Sequence, residues 1–303
     1  MNASAVNMAR PDRILLATDL SARCDRALDR ATRLANTWQV PLLVVHAKPR
    51  DTGDSWPPAY DTPSWRQPPD TLAAIEQRIR HDLGPDIDQP AIHVAEGQPA
   101  EVILEVAQRE ACDLIVLGAS HERAGHSFLG KTAEALLRKS PASVLVVKNR
   151  AREAYRQILV GTDFTTESQH GLQVAAGWFP QADFVLMHAL DIPYKSLWLD
   201  STRRQEFTRL ELATIGDFLA DAGLPEPLRQ RIRPMVEHGH PEMMLRNYVL
   251  EEGADLTVIG ALRRGLTFHM LVGGTTRRIV QAVPSDILVV RLGAAPASAR
   301  DGS

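Results

Sequence analysis

Four arginines late in the chain could bind an anion. Arg263 and Arg264 lie in a predicted loop, and Arg277 and Arg278 follow a Gly-Gly-Thr sequence at the start of a predicted helix. Cations near a helix N-terminus oppose the helix dipole, so an anionic ligand would offset the cost of placing them there. The alternative is a solvated or interface-facing surface on which these arginines pair with carboxylates.

Other residues point to weaker chemistry. His238 and His240 could suggest a metal pair, but no carboxylate or cysteine cluster accompanies them, so we expect no metal site. His46 and His188 each lie near the end of an apolar run, and we expect them to orient or cover a cleft. The sequence contains no GxSxG or GxGxxG, which argues against the commonest hydrolases and dinucleotide-binding proteins.

Composition narrows the classes of protein further. A chain of 303 residues indicates two domains, and a net charge of −3 with a pI near 6.4 gives no global reason to bind nucleic acid or anionic lipid. No apolar run approaches the length of a membrane span, and residues 1–13 lack the apolar stretch of a signal peptide. Cys24 and Cys112 are too few for a disulfide framework. We therefore expect a cytoplasmic protein with reduced thiols.

One sequence unit occurs twice. RILLATDLS pairs with QILVGTDFT, which aligns Asp19 with Asp163. CDLIVLGA pairs with ADLTVIGA, and SPASVLVVK pairs with VPSDILVVR, in the same order and at nearly the same spacing. We therefore predict two domains, residues 1–150 and 151–303, joined through the charged stretch 149–156.

Each half alternates short apolar runs with longer segments of helical spacing, which predicts βα units. In the first half the predicted strands are ILLAT, PLLVVHA, AIHVAE, DLIVLGA and SVLVVK, whose continuous Val, Ile and Leu content indicates burial on both faces. Helices are predicted at 21–38, with Ser21 as N-cap, and at 70–82, 99–110, 132–139, 166–178, 201–222, 241–252 and 275–283. The sequence thus predicts two tandem, doubly wound, five-stranded parallel-sheet α/β domains, with ligands beyond the carboxyl ends of the strands.

Two further features concern surfaces. SVLVVK and DILVVR end equivalent units as apolar edge strands, and because such edges need covering we predict that the two halves pack as an intramolecular pseudo-dimer. A further homodimer stays open. The proline-rich stretch 49–69 is interpreted as a surface loop with aromatic anchors, or alternatively as a lid or partner-docking loop.

The repeated pattern resembles the universal stress proteins. In both halves a strand ends in Thr-Asp before a helix, and a later strand ends in Gly118 or Gly260 before a glycine-bearing loop and the last helix. The resemblance covers nearly the whole chain, twice. It implies a tandem member with an adenine nucleotide alpha hydrolase-like fold, whose last strands meet across a pseudo-twofold axis.

The resemblance also implies a nucleotide site. ATP-binding members of the family carry a loop of glycine, two residues, glycine, nine residues, glycine and Ser or Thr, which contacts the phosphates, while the first-strand aspartate lies near the adenosine. The second half keeps the outer glycine spacing but has arginine at the middle glycine. Its implied site residues are Asp163, Gly260, Arg263, Gly273, Gly274 and Thr275.

The first-half loop matches the family less well, because it is one residue shorter, has His121 at the middle glycine and has Lys131 in place of the small hydroxyl residue. Charge also makes it less favourable for phosphate, because Glu134 stands where the second half has Arg277. Its less favoured candidates are Asp19, Gly118, Gly130, Lys131 and Thr132.

These observations lead us to expect a cytoplasmic stress-response protein that binds ATP in its second half, if in either, and acts through protein interactions. Two alternatives stay open. One is slow ATP hydrolysis or adenylate chemistry in the second half. The other is an interaction module whose clefts are relics or hold an apolar ligand.

Overall fold

The computed structural model describes residues 10–22, 24–48, 72–83, 87, 90–119, 121–123, 126–190, 201–261 and 274–292. Within these residues, ten strands form one sheet and two short strands form a separate hairpin. The strands are β1 (Ile14–Ala17), β2 (Leu42–Lys48), β3 (Ala91–Glu96), β4 (Leu114–Gly118), β5 (His121–Arg123), β6 (His126–Phe128), β7 (Ser143–Val147), β8 (Gln157–Thr162), β9 (Asp183–Leu190), β10 (Ile232–His238), β11 (Leu256–Ala261) and β12 (Asp286–Arg291).

The same part of the chain contains nine helices, all but one of which the sequence predicted. They are α1 (Asp25–Trp38), α2 (Leu72–Leu83), α3 (Pro99–Arg109), α4 (Lys131–Lys139), α5 (Thr166–Trp178), α6 (Ser201–Asp221), α7 (Glu226–Arg229), α8 (Pro241–Glu252) and α9 (Gly274–Ala282). The short α7 was not predicted. None of the described helices combines the length and the apolar character that a membrane span requires.

The prediction that Ser21 caps α1 was wrong. The N-cap of α1 is Cys24, because the Ser21 hydroxyl donates to the Asp19 carboxylate and the Ser21 carbonyl accepts the Cys24 N–H in a turn before the helix. In the second half Thr165, which aligns with Ser21, does cap α5 and accepts the Ser168 N–H at 3.3 Å. The two equivalent helices therefore begin at different points after their strands.

Both halves have the same strand order. The sheet runs β10-β9-β8-β11-β12-β7-β4-β1-β2-β3, and all neighbouring strands are parallel except β12 and β7. In each half the first strand lies in the middle, with the chain running outward on either side of it. This arrangement confirms the predicted pair of doubly wound, five-stranded parallel sheets.

Helices cover the sheet on both faces. Alternate strand residues enter opposite layers: Ile14 belongs to the layer that includes side chains of α1, α2, α5 and α6, whereas Leu15 belongs to the layer that includes side chains of α3, α4, α8 and α9. Each layer continues from one half into the other. The continuous apolar runs in the sequence thus reflect strands that are buried on both faces.

The two halves join where β7 pairs with β12. Leu145 lies opposite Leu288, and the flanking valine and isoleucine residues pair in antiparallel register around them. Because Leu145 and Leu288 occupy equivalent positions in the repeat, a pseudo-twofold axis passes between them. Both side chains are 1% exposed. The pairing gives each apolar strand a neighbour on both sides and confirms the predicted pseudo-dimer.

A cation just after β7 and another at the end of β12 each bind a helix of the opposite half. The Lys148 ammonium donates to the carbonyls of Val280, at 2.6 Å, and Val283 near the end of α9. The Arg291 guanidinium donates to the carbonyl of Leu137 near the end of α4. Carbonyls in the last turn lack partners within their helix and lie at its negative end, so both cations stabilise the junction.

A buried carboxylate breaks the symmetry of this junction. Asp286 is fully buried and accepts hydrogen bonds from two successive backbone N–H groups after β7, at 2.8 and 2.9 Å, and from the Tyr155 hydroxyl at 2.6 Å. The Arg30 Nε lies 3.4 Å from Asp286 Oδ2, and the guanidinium lies 4.0 Å from the Tyr155 ring centre. Burial, followed by the Asp286 charge, raises the pKa of Tyr155 well above its ordinary value, so the hydroxyl remains a donor. The equivalent residue in the first half is Ser143.

The last helices of the two halves also meet near the axis. Glu134 Oε1 on α4 lies 3.0 Å from Arg277 Nη2 on α9. These residues are equivalent in the repeat, so two identical halves would bring like charges together at this point. The divergence of the two positions therefore favours the pairing of unlike halves.

We expect residues 1–150 produced alone to form a homodimer or an insoluble chain, because β7 would expose an apolar edge. Co-production with residues 151–303 should instead give a 1:1 complex, measured by size-exclusion chromatography with light scattering. A control comes from the double reversal Glu134→Arg with Arg277→Glu, which should preserve the complex, whereas Glu134→Arg alone should weaken it. A monomeric, well-behaved 1–150 fragment would contradict the role of the β7 edge.

Asp286→Ala should lower the free energy of unfolding by about 3 to 5 kcal/mol, because it leaves the buried Arg30 charge without its carboxylate. Ser143→Ala, at the equivalent position of the first half, should cost only about 1 kcal/mol. Urea unfolding of both variants measures the difference. Equal losses would show that Asp286 has no special part in the junction.

Candidate functional site

Each half has a cleft where the strand order reverses. The first cleft lies at the carboxyl ends of β1 and β4 and has a volume of about 200 Å³. The second lies at the carboxyl ends of β8 and β11 and has a volume of about 160 Å³. In open α/β sheets this switch point is the usual place for a ligand.

An aspartate is held beside each cleft by a strained turn. Asp19 and Asp163 are followed by Leu20 and Phe164, whose φ angles of 59° and 61° lie in the left-handed region. Residues other than glycine seldom adopt this conformation, so neighbouring groups must hold it. In both halves the threonine before the aspartate accepts the backbone N–H of the left-handed residue at 3.0 Å.

The Asp163 carboxylate is oriented through one oxygen. Thr165 donates its hydroxyl at 2.6 Å and its backbone N–H at 3.3 Å, both to Asp163 Oδ1. Within the described residues no group donates to Oδ2. The arrangement therefore presents an oriented carboxylate oxygen that can accept a hydrogen bond from a ligand hydroxyl.

The Asp19 carboxylate has an additional thiol neighbour. Its Oδ1 accepts from the Ser21 hydroxyl at 2.5 Å and from the Cys24 thiol at 3.1 Å. Burial raises the pKa of Cys24 to about 11, so the thiol stays protonated and acts as a donor rather than a nucleophile.

The second cleft brings together three of the site residues inferred from the sequence. Asp163, Gly260 and Thr275 line it, and Gly274 begins α9 directly beside them. Other parts of its walls come from Thr162, Ser168, His188, Pro241, Leu245 and Thr276. The cleft thus has a carboxylate on one side and threonine hydroxyls at the start of α9 on the other.

Gly260 also has a packing role. A Cβ at this position would lie 2.1 Å from the carbonyl oxygen of Glu167 in the first turn of α5. Only glycine lets α5 approach the end of β11 this closely. The glycine at this strand end is therefore required for helix packing, independently of a ligand.

The arginines at the start of α9 pair with carboxylates, as the alternative interpretation of the sequence proposed. Arg277 forms the ion pair with Glu134 across the junction of the halves. Arg278 Nε lies 2.9 Å from Glu242 Oε1 on α8, and its Nη2 donates to Thr275 Oγ1 at 3.2 Å. Arg277 is therefore an interface residue, whereas Arg278 contacts a residue that lines the second cleft.

The first cleft contains most of the less favoured candidates. Asp19, Gly118, Gly130 and Thr132 line it, whereas Lys131 begins α4 with an exposed side chain and is not part of the lining.

The loop that follows β4 differs from a phosphate-binding loop. Residues 121–123 and 126–128 pair with each other as the antiparallel hairpin β5–β6, and β6 lies against α9 of the second half. A phosphate-cradling loop directs its backbone N–H groups at the ligand, but hairpin pairing engages some of them with the opposite strand. The hairpin therefore leaves fewer backbone N–H groups of this loop available to a ligand.

Some of the sequence-based predictions fall outside the described residues. Arg263 and Gly273 belong to residues 262–273, and the proline-rich stretch 49–69 also lies outside the described part. For these residues the sequence-based predictions are neither confirmed nor contradicted.

Sequence reasoning expected His46 and His188 to orient or cover a cleft, but it missed the hydrogen bonds through which Thr162 and Ser168 hold the turn around the aspartate. Thr162 supports the turn through its side chain, and its Oγ1 lies 3.0 Å from Ser168 Oγ. His46 and His188 donate from Nδ1 to the carbonyls of Thr18 and Thr162, at 2.9 Å in each half. The signal was present in the sequence, because both the Thr-Asp pair and the histidine recur in the two halves.

Comparison with known proteins also divides the chain into two similar halves. The chain matches the model of the Universal stress protein family twice, over residues 11–148 and 154–291. Stress response protein NhaX of Bacillus subtilis (strain 168) is 30% identical over 169 residues, covering 46% of this chain and 100% of NhaX. A universal stress protein of Thermus aquaticus, in the QAH/OAS sulfhydrylase 3' region, is 31% identical over 145 residues, covering 45% of this chain and 97% of its own.

Solved structures share the two-domain fold. A functionally unknown protein of Pseudomonas aeruginosa PAO1 has a TM-score of 0.67 at 19% identity, with 94% of each chain covered. A universal stress protein of Archaeoglobus fulgidus DSM 4304 has a TM-score of 0.64 at 15% identity, with 93% of this chain and 99% of that chain covered. At these identities the likeness concerns the fold alone. Because the family model matches most of the chain in two consecutive stretches, the chain belongs to the universal stress protein family and carries two of its domains in tandem.

Proposed function

We propose that this tandem universal stress protein binds an adenine nucleotide, ATP, in the cleft of its second half. The observation that carries the proposal is the placement of Asp163 and Thr275 on one cleft at the switch point of the sheet. A carboxylate can accept from ribose hydroxyls, and hydroxyl and backbone N–H groups at a helix start can donate to phosphate.

The contrast between the two halves favours the second. The second half keeps the glycine spacing of the ATP-binding members between Gly260 and Gly273. In the first half the corresponding loop forms the β5–β6 hairpin against α9, which engages part of its backbone. The first half is therefore proposed to act as the partner that completes the junction rather than as a second nucleotide site.

The proposed action is ligand-dependent interaction with proteins of the stress response, without dedicated turnover. Both α4 and α9 begin beside a cleft and meet through Glu134 and Arg277. A ligand that reorders the start of α9 would therefore act on the junction directly. The thiols Cys24 and Cys112 are unbridged, which is typical of a reducing compartment such as the cytoplasm.

Asp163→Ala should weaken ATP binding about tenfold or more, because a charge-assisted hydrogen bond contributes roughly 1.5 to 3 kcal/mol. Asp19→Ala is the matched control in the first half and should leave the affinity unchanged within about twofold. Isothermal titration calorimetry of the full chain measures both. Equal losses would contradict the assignment to the second half, and the absence of ATP binding by the unaltered protein at millimolar concentration would contradict the proposed function.

A further inference from the structure

The Arg278 side chain folds back over the first turn of its own helix. Its Nη1 lies 3.3 Å from the position that a Cβ on Gly274 would occupy, and its Nη2 donates to Thr275 Oγ1 at 3.2 Å. Its Nε lies 2.9 Å from Glu242 Oε1 on α8. The guanidinium is thus held beside the second cleft from two helices.

The first half has neither member of this ion pair. Ala135 stands where the second half has Arg278, and Ala100 stands where it has Glu242. Gly274 replaces the serine or threonine that the ATP-binding members carry after the last glycine of the loop. A Cβ at 274 would lie 3.3 Å from Arg278 Nη1, so the guanidinium occupies the space beside the position of the missing side chain.

The pair leaves hydrogen-bonding capacity unused. Within the described residues, Arg278 Nη1 has no acceptor, and the buried Glu242 Oε2 has no donor. A guanidinium can hold two anionic groups on different edges, since it carries five N–H donors in a fixed plane. Glu242 contacts the Nε edge and therefore leaves the Nη1 side for a second anion.

We propose that Arg278, positioned by Glu242, is the residue by which the second cleft recognises the phosphate chain of its nucleotide. The proposal rests on the proposed function and deepens it, because it makes the site selective for a nucleoside di- or triphosphate over the nucleoside. Arg278 makes the phosphate contact that a serine or threonine at 274 would otherwise make. Glu242 balances the charge of Arg278 when no ligand is bound.

The test compares Arg278→Gln with Arg277→Gln in the full chain. Both changes remove one positive charge from neighbouring positions of α9, but only Arg278 contacts a residue of the cleft. Isothermal titration calorimetry at one ionic strength would use ATP, adenosine and inorganic tripolyphosphate. We expect Arg278→Gln to weaken ATP and tripolyphosphate about tenfold and to leave adenosine unchanged, because one charge-assisted contact is lost. Arg277→Gln should change none of the three by more than about twofold.

Equal effects of the two substitutions, or an equal loss of adenosine binding, would overturn the role of Arg278 and leave the proposed function standing. If the unaltered protein binds no ATP, the proposed function fails, and the tripolyphosphate titration then decides the inference separately. Tripolyphosphate binding that is lost in Arg278→Gln and kept in Arg277→Gln supports it. The absence of tripolyphosphate binding overturns it.

Discussion

The antiparallel pairing of β7 with β12 fixes the relation of every other element, because both strands are apolar on both faces and neither can remain at an edge. Once they pair about Leu145 and Leu288, the sheet becomes continuous and its two core layers run through both halves. The pairing also brings α4 and α9 together, so that Lys148, just after β7, and Arg291, at the end of β12, each reach a helix of the other half. The junction is therefore part of the hydrophobic core and is also the place where the two repeats contact each other.

The repeats differ at two positions where they meet. Glu134 and Arg277 occupy one repeat position with opposite charges, and Ser143 and Asp286 occupy another with different hydrogen-bonding capacity. Both differences make the unlike pair better than either like pair. Near the second cleft, the hairpin β5–β6 of the first half lies against α9, whose first turn contributes Thr275 to that cleft.

Sequence reasoning predicted the strands, the doubly wound order and the pseudo-dimer, because continuous Val, Ile and Leu runs are typical of strands buried on both faces. It failed where a local hydrogen bond decides: Ser21 donates to Asp19 instead of capping α1. It left the arginines open, since their pairing with Glu134 and Glu242 depends on helices distant in sequence. The hairpin β5–β6 was not predicted, because HERAGHSF has neither strand-like alternation nor a strong turn signal.

We propose that the two similar domains, joined through one sheet, carry clefts of different capacity for ATP. Equilibrium dialysis of the full chain at saturating nucleotide measures the number of ATP molecules bound per chain. We expect about one ATP per chain, held in the second half. Two bound molecules per chain would show that the first cleft is equally competent and that the divergence of the repeats does not separate the two sites.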